Sequence, residues 1–334
     1  MPHIKSQLGS AVLTSVLLLS ASASAQADVA LSGFLTSSSP SSFSIADLQS
    51  YAASHTTSSV TVNGDTYTGV SLYGYLNSYR ATDPAAKNDV LRDYVVANGS
   101  NGSTVYALGN LLGSSFGTQN DIIAYSDSNG SLAAPSLVAA DGSLVSNLNS
   151  VNLGHVAYQG LGAGGVSTSI SLGGDVSSPA TYTAANLPGS LTVHTVYNLV
   201  AGGSAGFTGV SLWDLLVSAG ITTDPAALLR SYVIATGTDN YTSVYSLEEI
   251  LPQYGNQADL VAYLDGLGSS LGSNGFARTV VPGDLKGGRF MSNLNSLTVV
   301  TAPAAVPVPP AAIMMLSGLL FSFAFNGSRK PLAA

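Results

Sequence analysis

The segment "YTGVSLYGYL" at Tyr67–Leu76 returns as "FTGVSLWDLL" at Phe207–Leu216, and this recurrence sets the reading of the whole chain. The agreement spreads outward on both sides. "LRDYVVANG" from Leu91 recurs as "LRSYVIATG" from Leu229, "STVYAL" from Ser103 as "TSVYSL" from Thr242, and "FGTQNDIIAY" from Phe116 as "YGNQADLVAY" from Tyr254. "SNLNSV" from Ser146 closes one copy and "SNLNSL" from Ser292 the other. A repeat of this length is a duplicated domain rather than one coil of a solenoid. The halves are placed at residues 28–155 and 165–301, with residues 156–164 as a linker and the run "GLGAGG" (160–165) as a flexible joint.

Within each copy the local signals are plain. Ser71 and Ser211 precede apolar-periodic segments, and Asp214 falls three residues after Ser211, which predicts a short capped helix ending at Gly220. Runs rich in Val, Ile, Tyr and Thr, bounded by "NGSNG" or "GTDN", predict strands joined by tight turns. Each unit is therefore expected to be an α+β domain with more strand than helix. Tyr94 with Tyr232, and Tyr125 with Tyr263, recur in these runs and are expected to serve core or cross-strand packing.

Composition narrows the chemistry. The 334 residues allow two cores, and hydrophobic residues at 46% with charged residues at only 8% exclude a disordered chain. A net charge of −8 leaves no basic face for nucleic acid. There are no cysteines, so disulfides, thiolate metal sites and cysteine nucleophiles are excluded.

Both ends read as addresses. Lys5, the apolar run Ala11–Leu19 and the Ala-x-Ala site at Ala23–Ala25 describe a signal peptide over residues 1–25. At the other end a Pro-rich spacer (302–310) carries Val306, Pro307, Val308, Pro309 and Pro310. It leads into the apolar stretch Ala311–Phe325 and then to Arg329 and Lys330, which predicts a C-terminal transmembrane segment over 311–330 with cytoplasmic cations. This tripartite tail resembles the PEP-CTERM sorting signal, although no Glu stands among the prolines and "PLAA" follows the basic pair. The resemblance implies export, transient membrane anchoring, recognition by an exosortase-type enzyme, and delivery to the cell surface or extracellular matrix. Ser, Thr, Asn and Tyr on exposed strands would there suit contacts with polysaccharide.

The stretch "RTVVPGDLKGGRFMSNL" (Arg278–Leu294) concentrates cations and glycines in a cation-poor chain. Glycine lets backbone amides approach a ligand, and fixed cations beside them favour an anion. The order "GVSLWDLL", "LRSYVIATGTDNYTSVYSLEEI", "GNQADLVAYLDG", "GFARTVVPGDLKGGRFMSNLNSLTV" resembles the molybdopterin-binding domain of the sulfite-oxidase type, across nearly all of the second half and more weakly the first. The resemblance implies two tandem strand-rich domains of that type. It matches Arg278, Gly283, Lys286, Gly287 and Arg289 to a basic loop near the family's cofactor, whose metal is ligated by one cysteine. That ligand has no counterpart here, and the first half's "SLVAADGSLVSNL" from Ser136 has lost the Pro-Gly turn and all three cations.

The expected role is therefore a non-catalytic structural or binding one without a cofactor. The alternative is a molybdopterin-dependent oxidoreductase-like module holding a pterin or other small anion in the second half. A bland reading of the loop is a solvated hairpin whose cations meet Asp284, and Glu248–Glu249 is expected in a solvated turn. His55, His155 and His194 show no metal-ligand spacing, and "SDSNGSL" from Ser126 is expected to be an ordinary turn.

Overall fold

Two pairs of β-sheets carry the duplication. The computed structural model describes residues 28–113, 116–187, 191, 193–198 and 205–304. In the first half a five-stranded sheet runs in the spatial order Ser42–Phe43, Val29–Gly33, Ser150–His155, Asp93–Gly99, Gly102–Ala107. The second half repeats it as Ala180–Thr183, Ser169–Gly174, Leu294–Thr301, Ser231–Gly237, Thr242–Ser246. In both, a strand from the start of the half pairs in parallel with the strand that ends it, so each half closes on itself. The hairpins anticipated at "NGSNG" and "GTDN" form the far edges of these sheets.

The second sheet of the first half has the order Thr57–Val62, Asp65–Ser71, Ile122–Asp127, Gly130–Val138, Leu144–Val145. Its partner in the second half has the order Val193–Asn198, Ala205–Ser211, Leu260–Asp265, Arg278–Val280. Even the irregularities coincide, with a register shift at Thr68/Gly69 in one and at Thr208/Gly209 in the other. A Cβ on Gly69 or Gly209 would strike the carbonyl of Ile123 or Val261 on the neighbouring strand, so the close approach demands glycine twice.

The helices are short. Ser71 Oγ accepts from Gly74 N at 3.1 Å and Ser211 Oγ from Asp214 N at 3.2 Å, as the caps anticipated. The helix Leu212–Ser218 stops just before Gly220 at φ 73°. The longest helix among the described residues, Ile45–Ala52, has 8 residues. The expected α+β class is corrected accordingly: the fold is built of sheets, and its helices are plugs of one or two turns between strands. Segments this short do not sustain a helical layer of their own.

The localisation expectation is corrected as well. No helix among the described residues is long and apolar enough to cross a membrane, so anchoring through the C-terminus is not supported. The stretch Ala311–Phe325 lies outside the described residues, as do Val306–Pro310, Arg329, Lys330 and residues 1–25.

Each half has its own apolar core, and a third cluster is shared between them. Val105 and Ala107 of the first half pack there with Tyr232 and Val244 of the second and with Ala302 just after it. Tyr94 stacks on Tyr232 with ring centroids 4.2 Å apart. These tyrosines are the same residue of the repeat, and contact between equivalents is the mark of a two-fold interface. The halves thus meet as a pseudo-dimer. The joint is not free: Gly162 N donates to Asp239 O and Gly164 N to Thr238 O, both at 3.0 Å. Buried Arg92 ties this seam further, donating to Val156 O, Ala157 O and, at 2.8 Å, to Asn240 O.

Tyr232→Ala is expected to destabilise the protein by about 3 kcal/mol. Adding Tyr94→Ala should then cost markedly less than it does alone, because the two rings share one contact. Urea unfolding of the four proteins checks this, and strict additivity would mean that the rings do not act together.

Candidate functional site: the seam and its glycine loop

After the edge strand Arg278–Val280 the chain turns at Pro282 and Gly283 (φ 95°), and Gly287–Arg289 forms a single 3-10 turn. The loop presses against the other half. Leu285 N donates to Phe116 O at 2.9 Å, and a Cβ on Gly288 would collide with the Phe116 ring. Gly288 is therefore needed for close packing across the seam.

Arg289 is fully buried (0% exposed), and all three of its guanidinium nitrogens donate. Nη1 donates to Glu249 Oε2 at 2.7 Å, while Nε and Nη2 grip both oxygens of Asp284 at 3.0 and 2.6 Å. Nη2 also reaches Asn110 Oδ1 of the first half at 3.3 Å, and Gln257 Nε2 donates to the same oxygen at 2.9 Å. Burial alone would lower the pKa of Arg289, but Glu249 and Asp284 hold it well above its ordinary value. The carbonyl of Arg289 accepts from Tyr245 Oη at 2.6 Å and from Thr279 Oγ1 at 2.7 Å.

The other cations point elsewhere. Arg278 donates to Phe290 O at 2.9 Å and lies 5.0 Å above the Phe207 ring, where burial lowers its pKa. Lys286 is exposed, and so are Gly283 and Gly287. The five residues matched to the basic loop therefore do not converge on one point. With no cysteine and with Arg289 committed to two carboxylates, these residues do not fit a molybdopterin. Asp284 is the partner the hairpin reading named, but the setting is buried rather than solvated. Glu248 and Glu249 are likewise buried at 1% and 0% exposure, correcting their placement in a solvated turn. They sit in the helix Leu247–Ile250, where Ser246 N donates to Glu249 Oε1 at 2.9 Å in a capping box.

The histidines are scattered. His155 Nδ1 lies 2.6 Å from Asp93 Oδ1 beneath the Phe34 ring, His55 stacks on Tyr51, and His194 is 3.6 Å from Asp214 at the surface. Among the described residues no group of three His, Asp or Glu is placed to hold a metal ion. The "SDSNGSL" segment is a hairpin turn in which Asn129 N donates to Asp127 Oδ1.

Sheet register shows why the seam has two unlike corners. Ile122 pairs with Val138 as Leu260 pairs with Val280, and the turn after each strand ends at Ser143 or at Arg289. Tyr106 Oη meets Ser143 Oγ at 3.1 Å where Tyr245 Oη meets Arg289 O. The facing helices differ in the same way, with Gly109 and Asn110 standing where the second copy has Glu248 and Glu249. One corner thus holds Arg289. The other places Glu248 Oε1 against Ser143 Oγ at 2.8 Å, with Asp141 and Asp121 nearby. Residue types alone did not reveal Asn110, Ser143 or Gln257. Aligning the copies through this register exposes Asn110 and Ser143 as positions where the two differ, whereas Gln257 has the same residue, Gln119, as its counterpart.

Beside the Arg289 corner lies a cleft of about 510 Å³. It is lined by Lys87 and Asn88 of the first half, by Gly164–Gly165 of the joint, and by Thr238, Asp239, Tyr241, Gly287, Gly288 and residues 290–293 of the second half. Its walls are tied together, since Asn88 Nδ2 donates to Tyr241 Oη at 2.9 Å and Tyr241 Oη donates to Gly288 O at 2.8 Å.

No protein-family model and no curated protein matches this chain. Among solved structures, the sulfane dehydrogenase SoxCD from Paracoccus pantotrophus is similar at 18% identity and a TM-score of 0.32, over 50% of this chain and 44% of that one. The alignment spans less than half of that protein's chain, and a likeness of this degree carries no argument about what this chain does.

Arg289→Ala is expected to destabilise the fold by about 3–5 kcal/mol, because it leaves buried carboxylates without their cation. Denaturant unfolding measures this directly. A variant of unchanged stability would show that the guanidinium is not part of the structural frame.

Proposed function

We propose that this chain is an exported, non-catalytic structural or binding protein whose two halves together offer a cleft to a polyhydroxylated polymer such as a polysaccharide. The seam cleft carries this reading. Its lining combines the hydroxyls of Thr238, Tyr241 and Ser292, the carboxamides of Asn88 and Asn293 and four glycines with one carboxylate, one lysine and the apolar Phe290 and Met291. Hydroxyl-rich ligands are recognised by such mixed donors and acceptors, aided by aromatic faces. The export element rests on the N-terminal segment, which has the n-region, apolar run and small-residue site of a secretory leader.

Supporting the non-catalytic reading is the use of the loop's most buried cation as an internal strut, which removes it from ligand chemistry. The alternative, a pterin or small anion held in the second half, would require Arg289 to leave Glu249 and Asp284. Stoichiometric molybdenum or tungsten together with pterin fluorescence in protein purified from its native host would overturn our reading in favour of that one.

The polymer is tested by affinity gel electrophoresis of the purified protein in dextran, alginate and a soluble β-glucan. Retardation by at least one, reduced roughly tenfold in apparent affinity by Asn88→Ala with Thr238→Ala, is expected, since each lost hydrogen-bonding group is worth about 1 kcal/mol or less. Retardation that ignores the double substitution would remove the cleft as the site.

A further inference from the structure

The seam buries more acid than base. Asp121, Glu248, Glu249, Asp259 and Asp284 are all at most 5% exposed, and among the described residues Arg289 is the one buried cation that pairs with any of them. Five buried carboxylates against one guanidinium are not sustainable as ions, because an unpaired buried charge is neutralised by a proton instead. The contacts divide these carboxylates into two that meet the cation and others that do not. Glu249 and Asp284 hold Arg289, so they are the ionised pair. Both oxygens of Asp259 and one each of Asp121 and Asp141 are buried with no donor at all.

At the corner without arginine, Ser143 joins Glu248 of the second half to Asp141 of the first, its Oγ donating to Glu248 Oε1 and its N to Asp141 Oδ1, both at 2.8 Å, while Asp141 Oδ2 is buried without a donor. Two carboxylates are both acceptors and repel; with one proton between them the same contact becomes a strong bond. The remaining groups around Glu248 are Ser143, which donates to its Oε1, Tyr106 behind Ser143, and Asp121. None is a cation. Asp121 is fixed from the other side by Ala140 N at 3.1 Å and is approached by Gln119, Asp141 and Glu249.

We propose that the seam is fastened by a proton-dependent latch, in which protonated Glu248 donates to Asp141 across the boundary between the halves and alkaline deprotonation of Glu248 loosens it. Burial, followed by the neighbouring acids, pushes the Glu248 pKa well above its ordinary value, and burial with Asp141 raises Asp121 to about 8. The sign follows from linkage. A carboxyl whose folded pKa is raised holds a proton that the unfolded chain has already released, so stability declines from about pH 4 upward and continues to fall until the folded group ionises.

The test uses the purified protein at pH 6, 8 and 10, with thermal unfolding and hydrogen exchange normalised to intrinsic rates. In the wild type the melting temperature should fall by about 3–6 °C between pH 6 and 10, the scale expected for roughly 1–2 kcal/mol in a chain of this size. Protection should be lost at Leu247–Ile250 and Leu144–Val145, on the two sides of the seam, and kept at Ile122–Ala124 in the first-half core. Glu248→Gln supplies a donor that cannot titrate, and should reduce the fall, leaving the share owed to Asp121 and Asp259, and keep the seam protected at pH 10. Asp141→Asn, at a half-buried position, should do the same and serves if the first variant folds poorly. A pH dependence that persists undiminished in either folded variant overturns the proposal. No polysaccharide enters these measurements, so their outcome is independent of the binding experiment.

Discussion

A guanidinium taken wholly out of water is tolerated only where most of its donors are met and an opposite charge is in contact. Arg289 satisfies both terms, and much of the seam is arranged to let it. The turn at Gly287–Arg289 brings the side chain inward, the helix Leu247–Ile250 delivers Glu249, and Asp284 completes a bidentate grip from the same loop. Asn110 and Gln257 then carry the network into the other half. The arginine is a structural keystone at the place where a basic glycine-rich loop would otherwise suggest a ligand.

The cleft and the acid-rich corner are two results of the same arrangement. Two copies of one fold meet face to face, yet the residues at their meeting point differ between copies. Where the second copy has a long turn ending at Arg289, the first has a short one ending at Ser143. A symmetrical pair would place the same chemistry at both corners. Here one corner is a buried ion network beside an open cleft, and the other is a carboxyl pair with no cation.

How much of this could be read in the sequence followed the range of the interactions involved. Hairpin turns and the Ser71 and Ser211 caps were legible because they depend on neighbours within a few residues. The dominance of sheets over helix was underestimated, since the capped segments after Ser71 and Ser211 look helical locally but end after one or two turns. Burial of Glu248 and Glu249 was invisible for a different reason. A pair of adjacent acids reads as surface unless the partner is known, and their partners, Ser143 and Arg289, come from turns far along the chain. The glycine joint misled in a similar way: its composition is that of a flexible linker, but its amides are taken by Thr238 and Asp239.

The stacked tyrosines at the pseudo-axis have a consequence for how such a molecule can change. In a dimer of separate identical chains, any substitution appears on both sides of the axis, so a useful charge on one side brings an unwanted copy on the other. Joining the two copies in one polypeptide breaks that constraint. It also keeps the partner at a high effective concentration set by the linker rather than by the amount of protein present. Each half can then lose side chains that a freely associating subunit would need for affinity. Ser143 opposite Glu248, and Asn110 opposite Arg289, are substitutions that such covalent linkage makes tolerable.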